Sequence, residues 1–176
     1  MISRKYLSDY RVEKVTDEKG RIRSEAIYIG GDYTFPHPIP RSDKVLILCL
    51  SIVSWFAFIG ALIPVISLAR RIHIMLPFIF SGLPLYLMTG TAISLLGVKE
   101  IMTRERAEVI SKRLPPGALF SAVLSGGAAI ALLVTAIIAW DDAVFNDFIF
   151  AVLAVVICAA SAVAFAKCRK LKAMKV

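Results

Sequence analysis

The sequence predicts an all-α membrane protein: four transmembrane helices arranged as two helical hairpins, preceded by a small N-terminal cytoplasmic β-hairpin segment. Three observations carry this. Of 176 residues, 58 % are hydrophobic, against roughly 45–50 % in a soluble domain even with glycine counted. Mean hydropathy is +0.74. Charged residues make up only 19 % and all but vanish from four long stretches. An ordinary soluble domain, a disordered chain and a disulfide-rich secreted fold are all excluded.

The chain divides into a cytoplasmic segment, 1–43, and a bundle, 44–176. Within the first, Tyr10 to Val15 and Arg21 to Ile29 read as strands around the turn signal Asp17-Glu18-Lys19-Gly20. Alternation puts Ile22, Ser24, Ala26 and Tyr28 on one face of the second strand. An isolated two-stranded hairpin is marginal in water, so it needs a surface, a partner or a second copy. Gly30-Gly31-Asp32 ends it, and Pro36-His37-Pro38-Ile39-Pro40 runs extended. Ser42 or Asp43 is placed to cap the first span.

The spans are expected at about 45–69, 74–98, 118–140 and 143–166. At 1.5 Å per residue, each reaches roughly 35 Å, enough for a hydrocarbon core of about 30 Å. The only charge inside them is Asp147, near the start of the fourth. No signal peptide is visible in the polar first 43 residues, so the first span is expected to act as an uncleaved anchor. The connection at Arg70 to His73 is short, and Asp141-Asp142 opens another short one. The middle connection, 99–117, is longer. Thr103 to Leu114 has helical character, with Glu108 four residues before Lys112, until Pro115-Pro116-Gly117 is expected to break it.

Lysine and arginine set the orientation. Nineteen lie in 1–44, 99–117 and the tail, and only Arg70 and Arg71 in the other two connections. Both termini and the middle connection are therefore expected in the cytoplasm, with the chain in the cell membrane. The net charge of +8 is mostly this signal. Nucleic acid is not an expected partner, because seven acidic residues are mixed with the nine basic ones of 1–44. The lipid bilayer is the expected partner, together with another membrane protein or further copies of the chain.

Helices in lipid associate through close packing and a few polar contacts. Gly117, Ser121, Ser125 and Ala129 recur every fourth residue in the third span; Ala154, Cys158, Ala162 and Ala166 do so in the fourth. In antiparallel helices their depths match, so these two lines are expected to form a packing seam, with Gly126 off it. The second span holds Pro77 and Pro84, which favour kinks. Trp55 and Tyr86 fall at similar mid-membrane depth and carry donors that need partners, with Ser54, Thr89 and Thr91 nearby in sequence. They are the candidate polar spot. Arg70, Arg71 and His73 share the external side with Asp141, Asp142 and Asp147.

The sequence offers no catalytic constellation. His37 and His73 lack metal-ligand spacing, and Cys49, Cys158 and Cys168 form no CxxC pair. Cys49 and Cys158 fall inside spans and Cys168 at the cytoplasmic interface. No phosphate-binding loop or nucleophile elbow is present, and no cofactor is expected. Proton-coupled carriers normally need an ionisable group deep in a span, and here the one candidate sits at the edge. The expected function is a non-enzymatic accessory or scaffold subunit with a cytoplasmic docking face. A small oligomeric transporter or channel is the alternative, and a lipid-modifying enzyme ranks last.

Overall fold

The structure, a computed structural model, describes residues 8–16, 22–31, 33–35, 39–63, 68, 71–98, 102–169, 171 and 174–175. The expected turn at 17–20, the prolines at 36 and 38, His37 and Arg70 lie outside them. The elements in chain order are β1 (Tyr10–Thr16), β2 (Ile22–Tyr28), β3 (Tyr33–Thr34), α1 (Arg41–Leu62), α2 (Ile72–Leu96), α3 (Arg104–Ile138), α4 (Phe145–Cys168) and β4 (Met174–Lys175). All four helices are long and apolar enough to cross a membrane.

The helices form an up-down-up-down ring in which each packs on its two neighbours, α4 closing against α1. Small residues line the interior: Ser51, Ser54, Ala57 and Ala61 on α1, Ser81 and Ala92 on α2, Ala154 and Ala164 on α4. The buried hydroxyls of α1 and α2 turn back onto their own helix. Ser51 donates to the Ile47 carbonyl at 2.8 Å and Thr91 to that of Leu87 at 2.7 Å, which satisfies a donor that has no water to bond. One aromatic column runs through the bundle. Trp55 meets Phe58 edge-on, Phe58 stacks on Phe78 at 5.0 Å, and Phe78 meets Phe150 at 4.6 Å. Gly82 makes room for it, since a Cβ there would lie 3.0 Å from the Phe58 ring.

Helix ends differ from the sequence expectation in three places. First, α1 stops at Leu62, not Ala69, because a helix seldom runs past the residue before a proline, here Pro64. Second, its N-cap is Pro40, with neither Ser42 nor Asp43 as cap: the Pro40 carbonyl accepts the N–H groups of Asp43 and Lys44. Third, Pro115 and Pro116 do not break the chain. They lie inside α3, which runs 35 residues from Arg104. The helical stretch of the middle connection is thus the first part of the third long helix. One continuous face explains this. Ala107, Ile110, Leu114, Gly117, Ala118 and Ser121 are all buried at helical spacing across the proline pair, so packing outweighs the lost hydrogen bonds. Likewise α2 is unbroken through Pro77 and Pro84.

The hairpin pairs Tyr10 with Tyr28 and Val12 with Ala26 in antiparallel register. The sequence did not suggest β4. The pair Met174–Lys175 adds to Tyr33–Thr34, so the tail joins the segment before α1.

Candidate functional site

Two regions of the surface combine polar groups with shape. The first is the end of the bundle that carries both termini. Three segments distant in sequence meet there. Tyr33 and Met102 exchange backbone hydrogen bonds at 3.1 and 3.0 Å, and β3 pairs with β4. Phe35, Met102 and Leu171, one from each segment, are buried beneath them and belong to the bundle core. Side chains tie this cap to the helices. Lys44 Nζ donates to the Val98 carbonyl at 2.9 Å, and Lys167 Nζ to Asp43 Oδ1 at 3.0 Å. Arg104 and Lys112 flank Glu108 at 3.4 and 3.2 Å, and Arg104 also faces Asp9 at 3.8 Å. Glu108 and Asp9 help raise the Arg104 guanidinium above its usual range, behind the larger influence of Tyr33. Burial, then Glu105, pushes the Tyr10 phenol up.

Tyr28 is the clip between cap and hairpin. Its hydroxyl donates to the Gly31 carbonyl at 2.9 Å and accepts the Arg104 N–H at 3.0 Å. Thr103, the N-cap of α3, makes no side-chain cap; Tyr28 satisfies one of the orphan donors of that helix end instead. A side chain at Gly30 would collide with the Tyr28 ring, so a glycine is needed there. Beyond this clip the described side chains of the hairpin are exposed: Val12 is 70 % exposed, and Arg11, Glu13, Ser24, Ala26 and Ile27 are exposed with it.

The second region is the candidate polar spot. Trp55 Nε1 donates to Thr89 Oγ1 at 2.9 Å, and Thr89 donates onward to the Leu85 carbonyl. Tyr86 does not join this chain, and its side chain is 66 % exposed. Both nevertheless line one open cavity of about 540 Å³, with Gly90, Ser94, Val109 and Arg113.

The residues of the expected seam are placed as follows. Gly117 packs against α2 and not α4, its Cα side lying on the backbone of Pro84 and Met88. Ser121, Ser125 and Ala129 are buried, as is Ala154. Cys158 is half-buried, and Ala162 and Ala166 are exposed. The contact between α3 and α4 runs through Ser161, whose hydroxyl donates to Ser121 at 3.1 Å, and through Gly126, whose missing Cβ would sit 3.0 Å from Cys158 Sγ. Sequence reasoning missed Ser161 because the line of small residues in α4 continues on the exposed outer side, while the buried line is Ala154, Ile157, Ser161, Ala164. Ser125→Leu and Ser161→Leu should each lower stability by about 1–3 kcal/mol through overpacking, and Ala162→Leu should stay within about 0.5 kcal/mol. Thermal unfolding in detergent reads the difference. Equal tolerance of all three would move the seam elsewhere.

At the opposite end, Arg71 lies 4.0 Å from Asp142, an exposed pair of little weight. His73 Nε2 is 3.2 Å from Thr135 Oγ1. Among the described residues no group of three His, Cys, Asp or Glu side chains could hold a metal. Cys49 is exposed on the outer face of α1 rather than buried, and Cys168 is buried.

Comparison with family models, curated proteins and solved structures gives no match.

Proposed function

We propose that the protein is a multi-pass integral protein of the cell membrane, with both termini and the α2–α3 connection in the cytoplasm, and that it works as a non-enzymatic accessory or scaffold subunit. The membrane part is supported by how the helices are covered. Only 33–44 % of the most apolar window of each helix is buried, and Phe56, Ile137 and Phe145 are each at least 74 % exposed. Monomeric soluble proteins rarely expose apolar surface on that scale. Orientation is supported by the nineteen-to-two division of basic residues.

The observation that carries the subunit reading is the cap. Three segments are fixed to one another and to the core at the cytoplasmic end, yet among the described residues nothing covers the outer part of the hairpin they hold. A ribbon of two strands is too small to be stable alone, and both of its edges can accept a further strand. A rigid base presenting an unfinished sheet suits attachment to another protein.

Purification of the tagged chain from native membranes in mild detergent, followed by mass measurement of the complex, tests this. The expected result is a second protein in fixed ratio, lost when residues 1–31 are deleted. That deletion leaves Tyr33–Thr34 free to pair with the tail, so the bundle should keep its thermal midpoint. A homogeneous assembly of this chain alone, unchanged by the deletion, would replace the subunit reading with that of an oligomeric transporter.

A further inference from the structure

The open cavity beside α2 has a feature that the packing of the bundle does not use. Three neighbouring cations on α3 differ in their company. Arg104 and Lys112 share Glu108. Arg113, which lines the cavity, forms no ion pair or hydrogen bond with any described residue. Its position is specific: no Asp, Glu, Lys or Arg follows until Asp141. Arg113 is thus the charge at the inner boundary of the apolar part of α3. Gly117, one turn on, lies against the backbone of Pro84 and Met88, so Arg113 stands about 6 Å nearer the cytoplasm than that contact.

From Arg113 the cavity runs along α2 past Ser94, Ile93 and Gly90 to Tyr86 and the Trp55–Thr89 pair. Nothing lies within 4 Å of where a Gly90 Cβ would be. The floor is therefore open, mainly apolar, and closed at one end by a guanidinium without an acceptor. Tyr86, at the far end, also has no hydrogen-bond partner among the described residues. A fitting occupant carries an anionic oxygen cluster at the boundary, ester carbonyls below it and a hydrocarbon chain below those. Guanidinium groups bind phosphate in a planar, two-pronged geometry.

We propose that this groove is a binding site for one anionic glycerophospholipid of the inner leaflet, its phosphate held by Arg113 and one acyl chain lying over Gly90. This rests on the membrane reading above. Charge complementarity commits the site to an anionic lipid. In phosphatidylcholine the choline cation offsets the phosphate; in phosphatidylglycerol nothing does. A single basic residue near the headgroups favours an anionic lipid by about five-fold.

The test is titration of the purified, delipidated full chain with palmitoyl-oleoyl phosphatidylglycerol or phosphatidylcholine, with bound lipids counted by native mass spectrometry. The first phosphatidylglycerol should bind about five-fold more tightly than phosphatidylcholine. Arg113→Gln should remove that preference, and Arg106→Gln, an exposed neighbour outside the groove, should keep it. Gly90→Leu, which fills open space and leaves the fold intact, should weaken the first site for both lipids. No preference in the native chain, a preference that survives Arg113→Gln, or full binding in Gly90→Leu would each overturn the assignment. So would equal competition by glycerol phosphate, which has the head but no chains. The membrane reading is scored separately, by alkaline carbonate extraction of native membranes. A chain released by carbonate overturns that reading; a chain retained but without lipid preference overturns only the groove.

Discussion

Replacing Asp147 by alanine should lower the thermal midpoint of the detergent-purified protein by about 5–15 °C. Asp147 is 1 % exposed and is the one buried charged side chain among the described residues. Its carboxylate joins two parts of the chain. Oδ2 accepts the Val144 N–H at 3.0 Å, at the start of α4, and Oδ1 accepts the Leu68 N–H at 3.2 Å, in the α1–α2 connection. The negative charge also lies at the positive end of the α4 dipole. Alanine leaves two backbone donors without these acceptors in an apolar setting, at a cost of about 2–4 kcal/mol, and a chain of this size loses roughly 2–4 °C per kcal/mol. Asp147→Asn keeps one acceptor but points an amide N–H at the other donor, so its loss should be intermediate. An alanine variant within about a degree of the native midpoint would show that the α1–α2 connection is held by other contacts.

The second large effect belongs to Gly117. A Cβ at this position would lie 3.2 Å from the Pro84 carbonyl oxygen and 3.3 Å from the Met88 nitrogen. Both are backbone atoms of a helix and cannot rotate away. Gly117→Leu should force α2 and α3 apart, costing about 3 kcal/mol or more, and this protein should be recovered poorly or as aggregate. Gly127→Leu is the matched control. It is also a helical glycine of α3, but nothing lies within 4 Å of its Cβ position, so the gain in helix propensity should leave stability equal or slightly higher. Size-exclusion profiles and thermal midpoints of the pair decide the matter. Equal behaviour would mean that α2 and α3 are not in close backbone contact.

Gly117 also illustrates what the sequence could and could not express. The four helices are legible because charge is excluded from apolar spans, which is a property of composition along the chain and needs no knowledge of neighbours. The hairpin is legible because the alternation around Gly20 is local. Partner assignment is a different matter. Gly117 belongs to a regular line of small residues, but which helix sits on that line depends on the rotation of each helix, and small residues occur on several faces. The same ambiguity hid Ser161 beside Ala162. Pro115 and Pro116 read as a break because a proline removes a local hydrogen bond, whereas their tolerance comes from packing of Ala107, Ile110 and Leu114, buried before them, and Ala118 and Ser121, buried after. The pairing of Tyr33–Thr34 with Met174–Lys175 leaves no trace in either two-residue segment. Trp55 was visible as a donor in need of an acceptor and found Thr89; Arg113 was counted only as part of the orientation signal.

The pairing of β3 with β4 has a consequence for the order in which the molecule is made. Thr34 emerges from the ribosome before any of the helices, and its strand partner Met174 follows all four of them. At 5–20 residues per second, on the order of ten seconds separate the two. Throughout that interval β3 lacks its β4 partner, so the cap is open on that side. Closure of the cap therefore follows synthesis of all four helices, and a chain cut short before Met174 cannot complete it.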